Sequence, residues 1–463
     1  MRILLLKLKS KADEIIPPIG LGYLATAVRK KHEVGILDAL KEDMELEEVV
    51  EFIAKNEIQL IGLMFYTMNY AQIRDAVKAI KEKTPAVKIV VGGPHPSARP
   101  EETLNEMPEI DYAFVGEAEL GFPQIVDALD KENFKENDLK SVASLVWRKG
   151  KKIVLNERKI IDNLDELGFP SWDLLKPEIY PYAPHGNFFK QSPMAPMIIT
   201  RGCPYGCTFC AGHLVSGKRI RYRSLENVMG EIRLLVKEHG IREIHIEDDN
   251  YTMNRKFVED FCNTLIKEKL GITWACPNGM RLDTLDKKLL ILMKKSGLYS
   301  VSVGIESGSD RILKLVKKSL TTAKTKEKVE LINSVGLDVI GFVMLGFPTE
   351  TKEEMEQTID FVTTLPLKRI NFSYLQPFPG TEIYDDLIKS KKLENVSWEN
   401  CFLFKASYIP EGFTEEELRK IRQKGLRKFY LRPKILLSIL AEMRSPRQFF
   451  FALRRGIRWL VIH

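Results

Sequence analysis

The sequence predicts an α/β protein with two successive parallel sheets, the first doubly wound and the second a partial (β/α)6 barrel. Three observations carry this. Short apolar runs alternate with amphipathic helical stretches through residues 1–130. A Pro-rich stretch with Pro170, Pro177, Pro181, Pro184 and Pro193 then breaks the rhythm. From residue 194 the alternation resumes and runs through six further strand–helix units. Continuous apolar strands need cover on both faces, which a parallel sheet between helices provides. A chain of 463 residues is also too long for one core, so two or three domains are expected.

In the first unit, strands are predicted at 3–6, 33–37, 60–65, 88–91 and 112–115, with helices at 20–31, 46–55 and 70–83. The first of these helices sets Leu21, Leu24, Ala25 and Val28 on one face. The opening Met1-Arg2-Ile3-Leu4-Leu5-Leu6 is briefly like a secretory leader. Lys7, Lys9 and Lys11 interrupt it and no small-residue cleavage site follows, so it reads as a buried first strand. Residues 131–193 read as a connecting segment, in which 141–147 and 152–155 form a hairpin around Arg148-Lys149-Gly150-Lys151.

In the second unit, residues 194–400, strands are predicted at 196–200, 242–247, 272–277, 299–305, 338–345 and 369–375. Helices at 225–239, 255–268, 286–295, 324–334 and 352–363 separate them. Chemistry in such a fold sits on the loops that leave the C-terminal strand ends. Residues 401–463 form a helical basic and apolar extension. Phe449-Phe450-Phe451, Trp459 and nearby arginines suit either a helix in a membrane interface or packing against the barrel. No apolar run reaches the roughly 18–20 residues of a transmembrane span. The net charge of +7 permits an acidic partner or membrane surface without demanding one. A cytoplasmic protein is expected, with peripheral membrane contact through the extension and no nucleic-acid partner.

The first loop of the second unit carries Cys203, Cys207 and Cys210 at C-x3-C-x2-C spacing. There are 6 cysteines and none precedes Cys203, so this is no disulfide framework but a ligand cluster. Thiolates are soft ligands, and three on a short loop suit zinc or an iron–sulfur cluster. Three leave one metal corner open for a substrate. Gly202, Pro204 and Gly206 let the backbone wrap closely with its amides facing an anionic centre. A structural zinc site with His213 as fourth ligand is the alternative, disfavoured by the three-residue gap and the strand–loop–helix setting. Cys262, Cys276 and Cys401 read as packing residues.

Cys203, Cys207, Phe209 and Cys210 resemble the C-x3-C-x-aromatic-C hallmark of the radical S-adenosylmethionine (SAM) superfamily. The resemblance implies a 4Fe-4S cluster held by the three thiolates. SAM would chelate its open iron and be cleaved reductively to methionine and a 5′-deoxyadenosyl radical. It places Phe209 near the adenine, and Glu247 and Asp248, within Glu247-Asp248-Asp249-Asn250, near the SAM amino group. Glu306 and Ser307, within Gly304-Ile305-Glu306-Ser307-Gly308-Ser309, fall on the ribose-contacting segment. Arg281 could pair with the SAM carboxylate, or equally with Asp283 or Asp286.

The first unit resembles the cobalamin-binding domain of the cobalamin-dependent subgroup. The matching residues are 62–67, Gly92-Gly93-Pro94-His95 and Gly116-Glu117-Ala118-Glu119, after successive strands. By that resemblance Gly92, Gly93 and Gly116 admit the flat cofactor. The loop Lys9-Ser10-Lys11-Ala12-Asp13-Glu14 lacks the D-x-H-x-x-G histidine that ligates cobalt in many such domains, and His95 does not align with it. The implied function is reductive SAM cleavage coupled to cobalamin-dependent methylation of an unactivated carbon, with a small-molecule or lipid-like substrate and a flavodoxin- or ferredoxin-type one-electron reductant. The alternatives are a cobalamin-dependent radical cyclase or rearrangement enzyme, as in the anaerobic porphyrin-ester cyclases, and a non-catalytic cobalamin or redox sensor.

Overall fold

The computed structural model describes residues 1–10, 15–181, 189–393 and 398–442. The first sheet contains seven strands: β1 (Arg2–Lys7), β2 (Glu33–Asp38), β3 (Leu60–Met64), β4 (Lys88–Gly92), β5 (Tyr112–Phe114), β6 (Leu145–Lys149) and β7 (Lys152–Leu155). Their spatial order is β2-β1-β3-β4-β5-β6-β7. The first five are mutually parallel, as their continuous apolar character requires. Leu4, Leu6, Ile61, Leu63, Ile89 and Val91 face one buried layer; Ile3, Leu5, Leu60 and Val90 face the other. Helices Leu46–Lys55 and Tyr70–Lys83 cover the first layer, and Ile19–Val28 and Gly121–Leu129 the second.

One boundary is corrected. The hairpin expected inside a connecting segment instead extends this sheet: β6 pairs antiparallel with β5, and β7 with β6. Trp147, on β6, is 1 % exposed, so burying this indole requires the hairpin to dock.

The second sheet has six parallel strands in the order β8-β11-β12-β13-β14-β15, with at least one helix between each consecutive pair. They are β8 (Met194–Met197), β11 (Glu243–Ile246), β12 (Thr273–Met280), β13 (Leu298–Glu306), β14 (Asp338–Leu345) and β15 (Arg369–Tyr374). Between β8 and β11 lies a small antiparallel ladder, β9 (Thr200–Arg201) with β10 (Arg221–Tyr222). Local signals fix the helix starts: Ser224, Asn254, Asp286, Ser309, Thr321 and Thr351 each accept a backbone N–H as an N-cap. Among the described residues no helix is long and apolar enough to cross a membrane. Phe449–451 and Trp459 of the extension lie outside the described residues.

Candidate active site

The cysteine loop leaves β9 and returns through β10, so the two-residue ladder closes its base. Gly202 makes the exit possible. Its φ is +98°, and a Cβ there would sit 2.3 Å from the Arg219 carbonyl oxygen, two residues before β10. Cys203 and Cys207 are half-buried and Cys210 is exposed. Backbone and side-chain groups already point at the sulfurs: Gly212 N–H reaches Cys210 Sγ at 3.5 Å, and Asn250 Nδ2 reaches Cys203 Sγ at 3.7 Å. Burial pushes the Cys207 thiol up, while nearby Lys318 and Arg281 pull it down. Ligation displaces these protons, because the thiolate is the binding form. His213 Nδ1 lies 3.1 Å from the Cys210 carbonyl oxygen and braces the loop.

Of the four residues after β11, Asn250 turns toward the cysteines and Asp248 turns away. Asp248, expected at the SAM amino group, is 3 % exposed, and its two oxygens accept from Ile199 N and Thr200 N at 2.8 Å each. It therefore ties β11 to the start of the cysteine loop, and burial pushes its carboxyl up to about 7. Glu247 is half-buried, with its backbone N–H bound to the Met197 carbonyl. Asn250, the last residue of the segment expected at the SAM amino group, is 1 % exposed and leaves its Oδ1 without a hydrogen-bond partner beside Cys203. An orphaned buried acceptor next to Cys203 fits an ammonium donor such as that of SAM. The three-thiolate loop fits a cluster with an open iron in the same way.

At the end of β13, Glu306 is 6 % exposed with φ of +63°, a conformation a non-glycine residue adopts at a cost. Its Oε1 accepts from Lys318 Nζ at 2.5 Å. Lys318 was not anticipated, and its side chain is 12 % exposed. Ser307, expected to meet the ribose, is fully buried. Its hydroxyl is shared between Thr358 Oγ1 at 3.1 Å and the Ser309 N–H at 3.1 Å. Arg281 pairs with Asp283 at 2.8 Å, donates to the Lys318 carbonyl at 3.3 Å, and stacks on the Tyr205 ring at 3.5 Å. It thus braces the cysteine loop, while Asp286 pairs with Arg255. Phe209 is half-buried and packs on Phe347, ring centroids 6.4 Å apart. Cys262 is fully buried, Cys276 is 2 % exposed, and Cys401 is bound to Gln376 Oε1 at 3.6 Å, so all three pack.

On the facing sheet, Gly93 has φ of +124° and a Cβ there would meet the Phe65 carbonyl oxygen at 2.8 Å. That glycine lets the loop after β4 close on the loop after β3. At Gly92 a Cβ would meet only Phe114 Cβ, at 4.0 Å. A Cβ at Gly116 would lie 2.7 Å from Arg158 Nε. His95 is fully buried, stacks on Phe65 at 4.4 Å and contacts Thr67 Oγ1 through Nδ1 at 3.1 Å, which is a packing role. Burial lowers its imidazole to about 3, so it stays neutral. The histidine-free loop at 9–14 lies partly outside the described residues. Arg221 forms a bidentate pair with Glu117, at 2.6 and 2.8 Å, which joins this edge to the cysteine loop.

The cysteine loop of the six-stranded sheet is thus joined through Glu117 and Arg221 to the loops at the strand ends of a doubly wound sheet. Residues 197–362 match the radical SAM superfamily model and residues 6–126 match the B12 binding domain. An uncharacterized methyltransferase of Pyrococcus horikoshii is 35% identical over 447 residues, 96% of this chain and 93% of that protein. The anaerobic magnesium-protoporphyrin IX monomethyl ester cyclase of Rubrivivax gelatinosus is 27% identical, over 94% of this chain and 77% of its own. The solved structure of the cobalamin-dependent SAM radical enzyme OxsB superposes with a TM-score of 0.72 at 16% identity, covering 98% of this chain and 71% of that one. The chain belongs to the radical SAM enzymes that carry a cobalamin-binding domain. Its cofactors are a 4Fe-4S cluster, SAM and cobalamin.

Proposed function

We propose that this enzyme methylates an unactivated carbon of a small-molecule or lipid-like substrate. The observation that carries the reading is the direct joining of the two cofactor edges through Glu117 and Arg221, which suits a substrate held between them. The bound cluster and SAM supply a hydrogen-abstracting radical and cobalamin supplies a methyl carrier. Cys203, Cys207 and Cys210 would hold the cluster. Asn250 Oδ1 would accept from the SAM ammonium, Lys318 would balance its carboxylate, and Glu306 would accept from the ribose hydroxyls. Phe209, on Phe347, would flank the adenine. Gly92, Gly93 and Gly116 would line the cobalamin edge.

The electron comes from a flavodoxin- or ferredoxin-type donor, and the setting is cytoplasmic. Peripheral membrane contact is supported by Leu431, Leu436 and Leu437, which are 55%, 42% and 66% exposed. A second reading, radical cyclisation without methyl transfer, draws support from the likeness to the porphyrin-ester cyclase over 94% of this chain. Metabolite comparison between a host with and without the protein separates them. Methylation adds a methyl group traceable to labelled SAM; cyclisation removes hydrogen and incorporates no label.

A further inference from the structure

The loops after β4 and β5 and the cysteine loop are linked by polar contacts between neighbouring stretches of chain. Ser97 Oγ donates to the Gly93 carbonyl at 2.7 Å and accepts from Gly116 N at 2.9 Å, locking the loops after β4 and β5 together. The next residue, Glu117, takes the bidentate Arg221 pair and lies 3.4 Å from Arg201 Nη1. Arg201 Nη2 also binds Glu119 at 2.6 Å. Arg201 and Arg221 are register partners in the β9–β10 ladder, and Arg201 is two residues from Cys203. Arg221 further donates to the Ile161 and Ser216 carbonyls, at 2.5 and 2.8 Å.

All four charged side chains are at most 9% exposed. Two carboxylates against two guanidiniums balance in charge. Taking four charges out of water costs more than apolar packing of the same volume would, so such a network is a weak source of stability and a strong source of registry. The bidentate geometry fixes orientation as well as distance.

We propose that Glu117, through Arg221 and Arg201, is a positioning residue that sets the placement of the cobalamin domain relative to the first cluster ligand. The inference rests on the cofactor assignment; only its second readout depends on the methylation reading. The test uses the full-length protein loaded with iron and cobalamin. Glu117→Gln removes one charge while keeping the shape. Expected are wild-type iron and cobalamin contents and a weakened magnetic coupling between cob(II)alamin and the reduced cluster in electron paramagnetic resonance. With SAM and reductant alone, 5′-deoxyadenosine should still form, while S-adenosylhomocysteine relative to it falls by about 100-fold, the cost of an ångström-scale misplacement. Glu117→Asp should restore part of both signals.

Should the single variant fold poorly, Glu117→Gln/Arg221→Gln removes charge from both partners and is read in the same way. Wild-type coupling in either variant with both cofactors bound would overturn the proposal. If the wild-type protein itself makes no S-adenosylhomocysteine, the methylation reading fails, and the magnetic coupling still decides the positioning role.

Discussion

Gly202→Ala tests whether the cysteine loop is held by its own base. The backbone at Gly202 has φ of +98°, which an alanine adopts at a cost of roughly 1–2 kcal/mol. Its Cβ would fall 2.3 Å from the Arg219 oxygen and 3.2 Å from the Gly217 oxygen, both backbone atoms. Relieving the first contact needs a shift of about 1 Å, and such overpacking costs roughly 1–3 kcal/mol. The sum is roughly 2–5 kcal/mol, which in a domain of about 200 residues lowers the melting temperature by roughly 5–15 °C. Gly206, in the same loop, has no heavy atom within 4 Å of a built Cβ. Gly206→Ala should therefore change the apo protein by less than about 1 kcal/mol. Thermal unfolding of both apo variants reads this, and iron content after reconstitution should fall in Gly202→Ala because Cys203 is displaced. Equal effects from the two alanines, or none from Gly202→Ala, would refute the reasoning.

Cys207→Ala should lose the cluster absorbance and SAM cleavage together, measured by visible spectroscopy and 5′-deoxyadenosine yield. Lys318→Met should weaken SAM binding about 10- to 100-fold, the loss of one charge-assisted contact, as read by equilibrium dialysis. Asp248 provides a pH test. Its folded-state value of about 7 lies above the ordinary 3.8, so the native state binds this proton more tightly than the unfolded chain. Its contribution is full below about pH 4 and is lost as pH rises through about 7, a span worth roughly 4 kcal/mol. Asp248→Asn should flatten the melting-temperature profile between about pH 4 and 7; an unchanged slope would show that Asp248 stays ionised throughout.

Most strands and the longer helices were legible because their signals are local, apolar runs of strand length and one-sided helices, while the helix Gly121–Leu129 and the two-residue strands β9 and β10 were not anticipated. The cysteine loop was legible for the same reason, since all three thiols lie within eight residues. What the sequence hid depends on direction and distance. Asp248 and Ser307 sit among site residues in sequence, but one turns to Ile199 and Thr200 and the other to Thr358. Lys318, absent from the expected set, follows the short helix Asp310–Leu315 and is brought back against Glu306, 12 residues earlier. The Glu117–Arg221 pair joins residues 104 apart, a separation at which charge pattern carries no pairing signal. The hairpin β6–β7 was recognised as a hairpin, but its docking on β5 is equally non-local.

The most direct test of the central claim is product analysis with SAM bearing a labelled methyl group. Protein reconstituted anaerobically with iron, sulfide and cobalamin is supplied with SAM and a one-electron reductant. Both 5′-deoxyadenosine and S-adenosylhomocysteine should form, and both should disappear in Cys207→Ala or, for the second product, when cobalamin is withheld. Formation of 5′-deoxyadenosine with no S-adenosylhomocysteine would contradict methyl transfer, and formation of neither would contradict the enzyme assignment itself.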